Sequence, residues 1–137
     1  MKEISTLLKP VVREFKNEFA DTHVEIYNLT YDCQTLKISL VDDIGDEIAV
    51  MFEKVLGFRV LDEGNLLEFW DVELRAPGWI WRVQSGGWFD LEKLRQGFLA
   101  KHYGRHDNVE YLVCGINECV SVLTDSEPII YKIDDSD

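Results

Sequence analysis

The chain is short of basic residues, has few prolines and cysteines, and contains no long apolar run. Lysine and arginine number 14 against 26 aspartates and glutamates, a formal net charge of −12 over 137 residues. Nucleic acid and anionic membrane surfaces are polyanions, so both are disfavoured as direct partners. No stretch approaches the roughly 20 apolar residues that a membrane helix requires. The opening stretch MKEISTLLKPVVREF is broken by charges and lacks the apolar block of a signal peptide, which places the protein in the cytoplasm. The three cysteines, Cys33, Cys114 and Cys119, are odd in number and do not form a secreted disulfide framework, so reduced thiols are expected.

What is present suits a globular fold. A hydrophobic fraction of 46% is enough for a proper core, and the length fits one domain, 1–137, with a frayed tail at 134–137. Ile4, Leu7, Leu8, Val11, Val12, Phe15 and Phe19 recur at helical spacing, which predicts an amphipathic helix over about 5–20 with Pro10 in its first turns. VEIYNLTY and TLKISLV then read as strands joined by the turn Asp32-Cys33-Gln34. Leu36, Ile38 and Leu40 alternate with Lys37 and Ser39, the period of a half-buried strand. Ile48, Val50 and Phe52 continue the pattern after the charged turn DDIGDE. The connections are too short for crossover helices, which points to an antiparallel meander.

Further strands are expected at FRVLDEG, at 79–83, as a hairpin of Val109–Val113 with Val120–Leu123, and as an edge strand at Ile129–Ile133. Leu66, Leu67, Phe69 and Trp70 suit a turn or two of helix. Trp88, Leu91, Leu94 and Phe98 predict a central helix reaching about Ala100. The expected architecture is α+β: a mostly antiparallel sheet with an N-terminal amphipathic helix and one central helix.

No motif for chemistry emerges. His102 and His106 have i, i+4 spacing beside Asp107, but Gly104 interrupts them and no zincin glutamate follows, so no metal is expected. Ser85-Gly86-Gly87 is not a nucleophile elbow. Gly86-Gly87 lacks the Lys-Ser/Thr of a phosphate loop, and Asp90 and Glu92 behind it repel anions, so it reads as a turn needing positive φ. Cys114 and Cys119 flank a short turn and can face each other, as small core residues or as a redox pair. No catalytic residue and no cofactor is assigned.

Two features remain. Trp79, Trp81 and Trp88 cluster within ten residues, either as core anchors or around an aromatic pocket, with Trp79 and Trp81 read on one strand face. Acids crowd Asp42, Asp43, Asp46 and Glu47, and again Asp62, Glu63, Glu68, Asp71 and Glu73 around Trp70. Such acidic stretches suit a basic protein partner, with Trp70 as an anchor, or else a solvated face.

The stretches GFRVLDEGNLLEFW (57–70), PGWIWRVQSGGWFDLE (77–92) and EYLVCGINECVSVL (110–123), followed by Pro128, resemble a group of small acidic bacterial proteins. In size and acidity that group looks like immunity proteins that neutralise toxins, including those of contact-dependent growth inhibition. The resemblance implies no enzymatic activity. It implies a monomeric inhibitor of a cognate basic toxin domain, a nuclease, covering its active site with the acids named above. The other readings are a small-molecule-binding or enzymatic domain using a pocket around Trp79, Trp81 and Trp88, and an adaptor that self-associates through its last edge strand.

Overall fold

The computed structural model describes residues 10–19, 23–62, 78–94 and 109–133. Within them the strands are β1 (Val11–Glu14), β2 (Val24–Tyr31), β3 (Leu36–Asp42), β4 (Glu47–Phe52), β5 (Val55–Asp62), β6 (Ile80–Ser85), β7 (Val109–Cys114), β8 (Glu118–Thr124) and β9 (Ile129–Lys132). One short helix, α1, covers Trp88–Glu92. The strands form two antiparallel sheets, one ordered β1-β6-β7-β8-β5 and the other β2-β3-β4-β9.

The alternation seen in the sequence places the core. Leu36, Ile38 and Leu40 of β3 lie opposite Phe52, Val50 and Ile48 of β4, and all six are fully buried. They meet Ile80, Tyr111, Val113, Val120 and Val122 of the five-stranded sheet in one apolar cluster between the layers. Burying each such side chain contributes about 1.5–3 kcal/mol, which makes this layer the main source of stability. The five-stranded sheet is apolar on its other face as well. There Trp81, Val83, Leu112 and Cys119 form a second cluster, with Val12 and Leu61 against it. A sheet buried on both faces needs nearly continuous apolar strands, which is how β7 and β8 read.

The turns are made by local chemistry. The Asp32 Oδ1 accepts from the backbone N–H of Gln34 (3.0 Å) and Thr35 (2.7 Å), and Cys33 between them takes φ 76°. The Asp42 Oδ1 accepts from Ile44 (3.1 Å) and Asp46 (2.8 Å), with Gly45 at φ 96°. Both are Asx turns, in which a short carboxylate substitutes for backbone acceptors.

The strands expected from alternation are present, but the fold class is corrected. Of the described residues 61% are strand and 5% helix, so the described part is essentially all-β and the α+β expectation is corrected. The N-terminal amphipathic helix is overturned at 11–14, where β1 pairs with β6 through Val12↔Val83 and Arg13↔Arg82. Adjacent β-branched Val11 and Val12 favour extended backbone, and the open edge of β6 supplies the hydrogen bonds that a helix would have made internally. Residues 5–9 of that prediction lie outside the described residues. The described part of the central helix is Trp88–Glu92, which gives way to a turn at 93–94; residues 95–100 of the expected extension lie outside the described residues, as do the helical turns at Leu66–Trp70.

The tryptophans are also reassigned. Trp79 precedes β6 and turns into the core between the sheets, next to Ile80, whereas Trp81 joins Val83 on the far face. The two rings therefore lie on opposite sides of the sheet, because strand alternation starts only after the bend at Trp79. The Trp79 indole N–H donates to the carbonyl of Phe19 at 2.8 Å, which satisfies its polar atom inside the core.

Candidate functional site

Asp42, Asp43, Asp46 and Glu47 stand together on the β3–β4 turn. Asp62 lies at the end of β5, opposite Glu118. β2 and β5 run side by side: Tyr31 meets Phe58 edge-on at 5.0 Å, while Val60 shares a hollow with Ile26 and Leu29. The last residues of β5 therefore point toward the same end of the sandwich as the β3–β4 turn. Asp62 and Glu118 add to the charge of that end. Glu63, Glu68, Trp70, Asp71 and Glu73 lie outside the described residues.

The acidic turn borders the outer side of the four-stranded sheet, where Tyr27 and Tyr131 are exposed. Ile48 points into the core, so Glu47, Ala49 and Met51 of β4 lie on the outer side, where Ala49 is itself covered. Tyr131 lies opposite Ala49, on that same outward side. Tyr27 is 49% exposed and Tyr131 37%. The Tyr27 hydroxyl donates to Glu47 Oε1 at 2.6 Å, a short charge-assisted bond that holds the ring against the sheet. Asp46 is held by Lys132 of β9 at 3.5 Å. This side of the sheet thus presents two exposed tyrosines, one of them fixed by Glu47, beside negative charge. The acids were legible as a sequence cluster. The tyrosines were missed, although VEIYNLTY and IIYK each place an aromatic at a solvent-facing position.

A second constellation lies on the far face of the five-stranded sheet. Glu110 is 2% exposed, on the central strand β7. Its Oε1 accepts from the backbone N–H of Phe89 (2.8 Å) and its Oε2 from that of Trp88 (3.1 Å), so it ties the start of α1 to the sheet. Gly86, at φ 75°, makes the turn and donates its N–H to Asp90 Oδ2 at 2.7 Å. Gly87 leaves room for Val83 and for both Glu110 oxygens. Desolvation pushes the Glu110 carboxyl up to about 7, outweighing the two N–H donors and Arg59, with Asp90 adding to the rise. The Trp88 ring lies above Gly57 and under the Arg59 guanidinium at 4.9 Å, and its indole N–H donates to Glu92 at 3.2 Å.

A cavity of about 360 Å³ adjoins this clamp, lined by Gln84, Phe89, Asp90, Lys93 and Glu110 among others. A carboxyl near 7 has the acidity of a proton-transfer group. Here both oxygens are engaged by backbone donors, so Glu110 holds a helix start. The sequence signal for it was a lone acid inside the apolar strand VEYLVC.

Cys114 and Cys119 are direct cross-strand partners beside the β7–β8 turn and form no disulfide. Among the described residues no three His, Cys, Asp or Glu side chains gather as metal ligands, and His102, His106 and Asp107 lie outside them. Likewise no helix of the described residues is long and apolar enough to cross a membrane. Comparison with family models, curated proteins and solved structures returns no match.

Proposed function

We propose that the chain is an immunity-type inhibitor that binds a cognate basic toxin domain, a nuclease, and occludes its active site. The observation that carries this reading is the pairing of the acidic β3–β4 turn with two exposed tyrosines, Tyr27 held by Glu47 and Tyr131 beside it. Tyrosine gives contact area at low entropic cost and is enriched at binding hot spots. Neighbouring carboxylates attract a cationic surface from a distance and stand where substrate phosphates would bind. The net charge of −12 adds a field of the same sign over the whole molecule. An inhibitor of this kind needs no catalytic group.

The test is capture followed by rescue. The tagged chain is exposed to lysate of its own organism at about 0.05 M and about 0.3 M salt, across which the Debye length falls from about 14 Å to about 6 Å. A single basic partner, held at low salt and partly released at high salt, is then expressed alone and with the chain. Toxicity of the partner, relieved by co-expression, is the expected result. A captured protein that is harmless alone, or whose toxicity is unrelieved, refutes the inhibitor reading.

A further inference from the structure

A basic cavity in so acidic a chain calls for an explanation. Arg13 of β1, Arg82 of β6 and Tyr111 of β7 lie in one row across three adjacent strands, because Arg13 pairs with Arg82 and Arg82 with Tyr111. Directly opposed side chains on neighbouring strands have Cβ atoms about 5 Å apart, and like charges there are destabilising. With Glu14, Phe15 and Lys16 these residues line an open cavity of about 590 Å³, bordered also by Glu127 of the β8–β9 connection. Three cations thus stand against two carboxylates, Glu127 and Glu14, and one Glu14 oxygen is turned toward Gly78 and Trp81.

Tyr111 supplies an independent observation. Its side chain is 1% exposed, pinned edge-on by Phe15 at 5.7 Å and tilted against Phe52 at 5.6 Å. Its hydroxyl end feels Arg82 and Glu127, both in the cavity wall, so the oxygen is directed into this space. Among the described residues no hydrogen bond ends on that hydroxyl, and neither Arg13 nor Arg82 forms an ion pair. The hydroxyl is not one of the buried polar atoms left without a partner, so it opens onto this space and can donate to what enters it. Here a polar group and two opposed guanidiniums converge on one space of ligand size.

We propose that this cavity binds a small organic anion, whose carboxylate or phosphate is held by Arg13 and Arg82 and accepts a hydrogen bond from Tyr111, while its apolar body rests on Phe15. Guanidinium forks match both oxyanions, and the space exceeds what inorganic phosphate fills. This site is separate from the acidic face, on the β1 side of the sandwich, and does not depend on the proposed toxin partner.

The test is amide NMR titration of the intact chain with phenyl phosphate, benzoate, inorganic phosphate and, as a neutral control, benzyl alcohol. Phenyl phosphate or benzoate should give saturable shifts centred on Arg13, Arg82 and Tyr111. Inorganic phosphate should bind at least tenfold more weakly, and benzyl alcohol should not saturate. Arg82→Gln should weaken the organic anion by about tenfold or more, as loss of a charge-assisted bond does, and Tyr111→Phe by roughly three- to tenfold. Lys37→Gln, on the other sheet, controls for net charge and should leave binding unchanged. Arg13→Gln gives a second, surface-exposed variant if Tyr111→Phe lowers stability. No saturable shift from either organic anion overturns the proposal. So does equal affinity for inorganic phosphate, or an Arg82→Gln chain that binds as tightly as the parent.

Discussion

The buried carboxyl of Glu110 makes stability depend on pH with a sign opposite to that of most acidic residues. Its value in an unfolded chain is 4.5, and in the fold desolvation raises it to about 7. Below about 4.5 both states hold the proton, and burial of the neutral carboxyl carries no charge penalty. Between about 4.5 and 7 the unfolded chain releases its proton while the folded chain keeps it, so unfolding gains. Above about 7 the folded carboxyl is ionised too, and the loss is complete. At about 1.4 kcal/mol per pH unit, this window corresponds to about 3 kcal/mol of stability lost as pH rises.

Self-repulsion of a chain with net charge −12 slopes the same way, so the variant Glu110→Gln is needed to isolate the group. Its amide oxygen still accepts from one N–H of Trp88 or Phe89, while its NH₂ opposes the other. It should be about 1 kcal/mol less stable than the parent at pH 4.5. By pH 8 the parent has lost the titration energy and the order should reverse. Urea midpoints of both proteins at constant ionic strength, from pH 4.5 to 8, measure the gap. A gap that stays constant across this range refutes the reasoning. A gap that widens in the parent's favour would mean that the two N–H donors outweigh desolvation.

Other expectations follow from packing and turns. Gly87→Ala puts a Cβ 2.7 Å from Val83 Cγ1 and 2.8 Å from both Glu110 oxygens, so it should cost about 2–3 kcal/mol in urea denaturation. Ile38→Ala, at a fully buried position between the sheets, should cost about 2–5 kcal/mol, whereas Ile44→Ala on the exposed turn should stay within about 0.5 kcal/mol. Asp42→Ala removes the acceptor for two backbone N–H groups and should lower stability by about 1–2 kcal/mol, read from the thermal midpoint.

The sequence was legible where one signal dominated. Leu36, Ile38 and Leu40, and their partners on β4, carry a clean two-residue period, and Asp32 and Asp42 carry turn chemistry; both appear where expected. At 11–14 two signals conflicted. The apolar residues fit a helical spacing and do not alternate within VVRE, whereas adjacent β-branched valines favour extended backbone, and what decided was the free edge of β6, a long-range fact that no local window contains. The tryptophans failed for a related reason, since alternation was carried one residue past the strand's true start at Ile80. The acidic turn was visible as composition. The Glu110 clamp and the Arg13–Arg82–Tyr111 row were not, because each joins residues far apart in sequence whose proximity is set by register.

The acids of the β3–β4 turn are not equivalent probes of partner binding, and the structure says which to change. Asp42 builds the turn, so replacing it confounds charge with folding. Asp46 meets Lys132, and Glu47 accepts from Tyr27, but neither bond cancels the net charge that a distant cation feels. Asp43→Asn, Asp46→Asn and Glu47→Gln combined remove three charges and retain side-chain shape. Steered association varies with charge while dissociation follows the close contacts. The triple variant should therefore associate about tenfold more slowly with the basic partner at low salt, with a smaller difference at high salt. Tyr27→Ala removes contact area and should instead speed dissociation. Stopped-flow association and dissociation rates separate the two effects. A triple variant that associates as fast as the parent would move the binding surface away from this turn, whatever the affinity.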